Sequence, residues 1–77
     1  MRVKVLPPRG SDRSALDERS WADIPEGSTV GDVLKIINCS PAKAKLLLVS
    51  VNGERARLSH ELHDGDVVGF FSLVSGG

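Results

Sequence analysis

Cysteine is nearly missing from this chain: Cys39 stands alone among 77 residues. That excludes an internal disulfide framework and the four-cysteine ligation that plant-type iron–sulfur clusters require. A single thiol suits a reducing compartment such as the cytoplasm. Long apolar runs are missing too. The longest, Leu46 to Val49, falls far short of the roughly 20 residues that cross a bilayer. Met1 leads into a strand-like alternation rather than the apolar stretch of a signal peptide, so the expectation is a soluble, unexported protein with no membrane partner. Charge of one sign is also lacking, because 10 Lys and Arg balance 10 Asp and Glu. Phosphate backbones demand a basic footprint, and no nucleic-acid partner is expected.

A chain this short buries only about 60% of the surface it exposes when unfolded, which supports one core and therefore one domain. Arg2 to Leu6 alternates polar and apolar residues and stops at Pro7-Pro8, which reads as a first strand. A loop or wide turn follows to about Asp17, and Glu18 to Ile24 reads as a second, weakly alternating strand. After the turn Pro25-Glu26-Gly27, Ser28 or Thr29 can cap a helix. Val30, Val33, Leu34 and Ile37 then fall on one stripe of an amphipathic helix of about ten residues. Pro41 ends that helix or opens a short helical turn through Lys45.

Leu46 to Val51 is the most hydrophobic strand. Asn52-Gly53 tolerates the positive φ of a two-residue hairpin turn, and the return strand is placed at Glu54 to about Leu58. An irregular connection over Ser59 to His63 leads to the turn Asp64-Gly65-Asp66 and a last strand from Val67 to Ser72. The predicted order is strand, strand, helix, strand, strand, strand, with one helix covering one face of one mixed sheet. With first and last strands parallel and adjacent, this is an α+β, β-grasp (ubiquitin-like) fold with a four- to five-stranded sheet. The domain is expected to occupy residues 1–72, and 73–77 to form a flexible C-terminal tail.

Four segments carry a family resemblance: Thr29-Val30-Gly31-Asp32-Val33-Leu34, Val49-Ser50-Val51-Asn52-Gly53-Glu54, Leu62 through Phe71, and Ser75-Gly76-Gly77. In order and spacing they resemble the prokaryotic sulfur carriers of thiamin and molybdopterin biosynthesis, the ThiS/MoaD family. Each segment occurs in many folds; the ordered set closed by Gly-Gly is much more specific. Phe70-Phe71 is more similar to the small subunit of molybdopterin synthase than to the thiamin carriers. Ser72-Leu73 stands where that branch usually has proline after the phenylalanines, and Pro7-Pro8 where it has an aromatic and arginine-rich strand end.

The resemblance implies a carrier rather than an enzyme, with no cofactor of its own. A ubiquitin-activating-type enzyme uses ATP to convert the Gly77 carboxylate into an acyl-adenylate, and sulfur from a persulfide donor then displaces AMP to leave a thiocarboxylate. An acceptor enzyme such as the molybdopterin synthase large subunit or thiazole synthase receives the sulfur. Gly76 and Gly77 suit such a role because glycine has no Cβ to obstruct threading into a narrow active site. With glycine at about 7% of residues, chance gives Gly-Gly at a given position only roughly 0.5% of the time. Ser75, Val74 and Leu73 are the residues expected to enter a partner with them. Two other readings use the same fold: a ubiquitin-like modifier that forms isopeptide bonds with lysines, and a non-covalent β-grasp binding module for which the chain end is irrelevant.

Other reactive residues read more plainly. Cys39 falls at a helix C-terminus, where the dipole disfavours a thiolate, and is a small hydrophobe. His60 and His63 lack a third ligand at a useful spacing, so no metal site is expected. Asp64 and Asp66 are turn residues. Alternation along the last strand puts Val68 and Phe70 on one face and Val67, Gly69 and Phe71 on the other. If the first pair is core, Phe71 is exposed near Arg55 and Arg57, the composition of a partner-binding hot spot.

Overall fold

The computed structural model describes residues 1–8 and 10–72. Five strands form one mixed sheet: β1 (Arg2–Leu6), β2 (Trp21–Asp23), β3 (Leu47–Val51), β4 (Glu54–Arg55) and β5 (Val67–Ser72), in the order β2-β1-β5-β3-β4. β1 and β5 pair in parallel, Lys4 opposite Val67 and Leu6 opposite Gly69, and the other pairings are antiparallel. The C-terminal strand is thus the middle one. Helix α1 (Val30–Ile36) and a single helical turn, α2 (Pro41–Ala44), connect β2 to β3. This is the expected β-grasp arrangement.

The predicted helical stripe is the core. Val30, Val33, Leu34 and Ile37 are buried in one cluster with Val3, Val5, Val49, Val51, Val68 and Phe70. In β1 and β3 these buried residues alternate with exposed or half-exposed ones, and in β5 Gly69 is buried between Val68 and Phe70 while Phe71 is exposed. Thr29 caps the helix: its side chain accepts the Asp32 amide, and the Asp32 carboxylate accepts the Thr29 amide at 2.9 Å. That reciprocal pair satisfies two amides a helix start would otherwise leave free. Ser28 has a different task, with its buried hydroxyl donating to the Pro25 carbonyl at 2.6 Å.

Three elements are shorter than the sequence suggests, each because the backbone is engaged elsewhere. Residues 17–20 form a turn rather than strand: the Asp17 carboxylate accepts the amides of Arg19 and Trp21, and Ser20 takes φ 69. Helix α1 stops at Ile36 because Asn38 turns left-handed, φ 55, letting the Cys39 amide return to the Leu34 carbonyl at 2.9 Å. β4 ends at Arg55 because the next carbonyls are drawn to the helix start, Leu58 accepting from Gly31 and His60 from Val30.

The hairpin turn is as expected, with Asn52 at φ 54 and Gly53 at φ 84. Asn52 does more than turn the chain. Its carbonyl oxygen accepts the Val67 amide and its NH2 donates to Asp66, both at 2.9 Å, so the hairpin is stitched to the start of β5. The expected tail at 73–77 lies outside the described residues.

Candidate docking face and sheet terminus

The sheet face opposite α1 is built from the alternate residues of the same strands. By register, Lys4 and Leu6 of β1, Val67, Gly69 and Phe71 of β5, Leu48 and Ser50 of β3, and Arg55 of β4 share this face. Phe71 sits opposite Leu48, while Gly69 lies between Leu6 and Ser50. Phe71 is 51% exposed and Leu6 42%, whereas Phe70 is 3% exposed. The alternation expected from the sequence therefore holds for both phenylalanines. An apolar patch of Leu6, Leu48 and Phe71 lies at the end of β5 nearest Ser72.

Cations border this patch. Lys4 and Arg55 make no ion pair among the described residues. Arg55 faces Ser50 across the β3–β4 pair and belongs to the face. Arg57 is exposed but lies past β4, in a turn where its carbonyl accepts the His60 amide at 3.0 Å. At the opposite edge Arg2 is committed: its guanidinium sits 5.5 Å from the Trp21 ring centroid and 2.7 Å from Asp17. The Trp21 amide, foremost, together with the Arg19 amide and Arg2, holds the Asp17 carboxyl below the usual carboxylate range.

On the helix side, where β5 ends, a cleft of about 440 Å³ opens. Ser72, Leu46, Leu47, Ile37, Cys39 and Lys43 line it, with the loop Gly10–Asp12 forming the far wall. That loop is tied to the helix end by a hydrogen bond from the Asn38 side chain to Asp12. Cys39 is half-buried in this lining and its Sγ lies 3.7 Å from the Ser40 carbonyl. Both Asp64 and Asp66 serve backbone amides, of Arg2 and His63 respectively. His63 Nδ1 is 4.0 Å from Asp66. Among the described residues no group of three or more His, Cys, Asp or Glu could hold a metal ion, and no helix is long and apolar enough to cross a membrane.

Of the site residues the sequence singles out, Phe71 and Arg55 come together on the open face and Arg57 falls beside it. Leu73, Val74, Ser75, Gly76 and Gly77 lie outside the described residues. Leu6 and Leu48 join the face without being singled out by the sequence, and Gly69, which alternation places there, joins it as a neighbour of Phe71. The signals for them were present: Leu6 shares the parity of Lys4 along β1, and a glycine inside a strand marks a close approach.

Comparison with known proteins fits this architecture. The chain resembles the crystal structure of SAMP1 from Haloferax volcanii, at 27% identity and a TM-score of 0.62, over 100% of this chain and 98% of that one. A second crystal structure, of H. volcanii small archaeal modifier protein 1, shares the fold at 24% identity and a TM-score of 0.61, over 96% of this chain and 97% of that one. Comparison with curated proteins gives no match. The model of the ThiS family matches residues 10–77. With its β-grasp sheet and a match reaching through Gly77, this chain belongs to the ThiS family.

Proposed function

We propose that this chain is a sulfur carrier whose reacting group is the Gly77 carboxylate. The observation that carries the reading is the family match through Gly76-Gly77, on a fold whose middle strand ends at Ser72, beside an exposed apolar patch. In the activation step a carboxylate oxygen attacks the α-phosphorus of ATP and pyrophosphate leaves. The terminal sulfur of a persulfide then adds to the carbonyl carbon and AMP departs with the bonding electrons. A second thiol attacks the donor sulfur of the resulting acyl disulfide, leaving the thiocarboxylate on Gly77 and a disulfide on the donor. These steps occur on a partner, so the chain is a co-substrate and the ATP site belongs to the activating enzyme. The patch of Leu6, Leu48 and Phe71, beside Lys4 and Arg55, docks that enzyme and later the acceptor. Phe70-Phe71 favours a molybdopterin synthase large subunit as acceptor over thiazole synthase, and both places of work are cytoplasmic.

The likeness to SAMP1, which is 27% identical, favours a second reading in which the same activated glycine is transferred to a lysine amine, as the name small archaeal modifier protein implies for that relative. Intact-mass analysis after incubation with ATP, a persulfide donor, a reducing thiol and an adenylating enzyme separates the two. Replacement of one Gly77 carboxylate oxygen by sulfur supports the carrier. Conjugates linked through Gly77 to lysines, without a thiocarboxylate, support the modifier. An unchanged mass with every adenylating enzyme of the source organism removes both and leaves a non-covalent module.

A further inference from the structure

Gly69 is a glycine for reasons of space, not of backbone freedom. Unlike Gly53 and Gly65 it has no positive φ, and it pairs regularly with Ser50 and Leu6 in the middle strand. Glycine inside a strand weakens it, so something at this position offsets that cost. A Cβ placed on Gly69 would stand 2.9 Å from Ser50 Oγ, and 3.1 and 3.2 Å from Cε2 and Cζ of Phe71. Carbon atoms rest comfortably at about 3.5–4.0 Å. The far edge of the Phe71 ring therefore fills the volume a side chain at position 69 would need. Strand side chains ordinarily stand roughly perpendicular to the sheet. This ring instead reaches back along β5, its Cε2–Cζ edge over Gly69, while Phe71 stays 51% exposed.

We propose that Gly69 is a positioning residue for the docking face: by leaving the space above β5 empty it lays the Phe71 ring down as a flat plate between Leu6 and Leu48. The inference rests on the carrier reading and specifies how that carrier is gripped. The occupant is an adenylating enzyme presenting an apolar socket rimmed by carboxylates. Two observations fix that choice. The cations beside the plate, Lys4 and Arg55, are unpaired among the described residues, so an acidic rim complements them. Gly77 is the fifth residue after Ser72, a span of at most about 18 Å. An enzyme holding Gly77 in its active site therefore reaches within that distance of the end of β5, where the patch lies.

The test is Gly69→Ala. The atoms a methyl group would strike are the ends of two side chains that can rotate, so the sheet survives while the ring swings upright. With the adenylating enzyme that activates the wild-type chain, the expected result is a KM raised about 5- to 20-fold at unchanged kcat. In a double-mutant cycle, Gly69→Ala adds nothing to Phe71→Ala, because both remove the same plate. A partner-free measurement runs alongside: in wild type, ring currents from Phe71 displace the Gly69 Hα resonances, and Phe71→Ala abolishes the displacement. An unchanged KM, full additivity in the cycle, or Gly69 resonances indifferent to Phe71→Ala would overturn the proposal. If no adenylating enzyme activates wild type, it is the carrier reading that fails, and the resonances still report whether Gly69 shapes the ring.

Discussion

Replacing each of the two adjacent phenylalanines by alanine sets the architecture against its proposed use. Phe70 is 3% exposed and packs with the α1 stripe, while Phe71 is 51% exposed on the opposite face. Truncating a buried phenylalanine removes its transfer free energy and leaves a cavity, together about 3–5 kcal/mol. A domain of this length has only roughly 4–12 kcal/mol of total stability, so Phe70→Ala brings it close to unfolding at ambient temperature. Phe71 loses about half as much contact with water on folding, and no cavity forms when it goes. Its truncation should cost the fold about 1 kcal/mol. At about 4–8 °C per kcal/mol for a domain of this size, thermal unfolding separates the variants by more than about 8 °C. Binding to the activating enzyme should divide them the other way: Phe71→Ala loses about 1–3 kcal/mol of affinity, a 5- to 150-fold rise in Kd. Urea unfolding followed by Trp21 fluorescence, with calorimetric titration of the enzyme, measures both quantities. The reasoning is refuted if Phe71→Ala unfolds the protein more readily than Phe70→Ala, or if it leaves the Kd unchanged.

The parts of the fold written in periodicity are legible in the sequence alone. Val30, Val33, Leu34 and Ile37 declare a helix face by their spacing. Val68 and Phe70 declare an inward strand face, and Asn52-Gly53 a hairpin. All three depend on neighbours a few residues away. What is not legible depends on partners distant in sequence. Nothing near Leu58 announces that its carbonyl will accept the Gly31 amide at 2.9 Å, yet that bond draws the chain toward the helix start, and β4 ends at Arg55, two residues before Arg57. Nor does the Asn52 side chain advertise its bond to the Val67 amide, 15 residues on. The cleft at Ser72 arises because the loop Gly10–Asp12 is held to Asn38, 26 residues away. Gly69 shows the boundary most sharply: alternation gives its face, but only the ring of Phe71 explains why the residue there has no side chain.

The stitch between hairpin and middle strand predicts that Asn52→Ala destabilises the domain by about 1–3 kcal/mol, since it places alanine at φ 54 and strands the Val67 amide; Asn52→Gly, which relieves only the backbone, should recover part of the loss in urea titrations. Stability should also fall in acid. Amide donors hold Asp12, Asp17 and Asp32 below the usual range, and Asp66, which enclosure pushes up, is held down by the His63 amide, Asn52 and the two imidazoles. A depressed carboxyl contributes stability that is complete above its unfolded value of 3.8 and is lost as pH falls through the folded value. Unfolding temperature should therefore be level between about pH 5 and 7 and decline below about pH 4, and a decline beginning near pH 6 would refute this assignment. The last prediction concerns Gly77. If the activated carbonyl is on that residue, deleting it retracts the carboxylate by about 3.3–3.6 Å, and one added residue advances it by as much. Near-attack geometry tolerates about 1 Å, so neither variant should be adenylated or gain sulfur. The buried cluster of the described residues is untouched by either change, so both variants should unfold at the wild-type temperature, which separates lost chemistry from lost structure. An extended chain resistant to trimming that still acquires sulfur by intact mass would show that the reacting carbonyl is not where the proposed mechanism puts it.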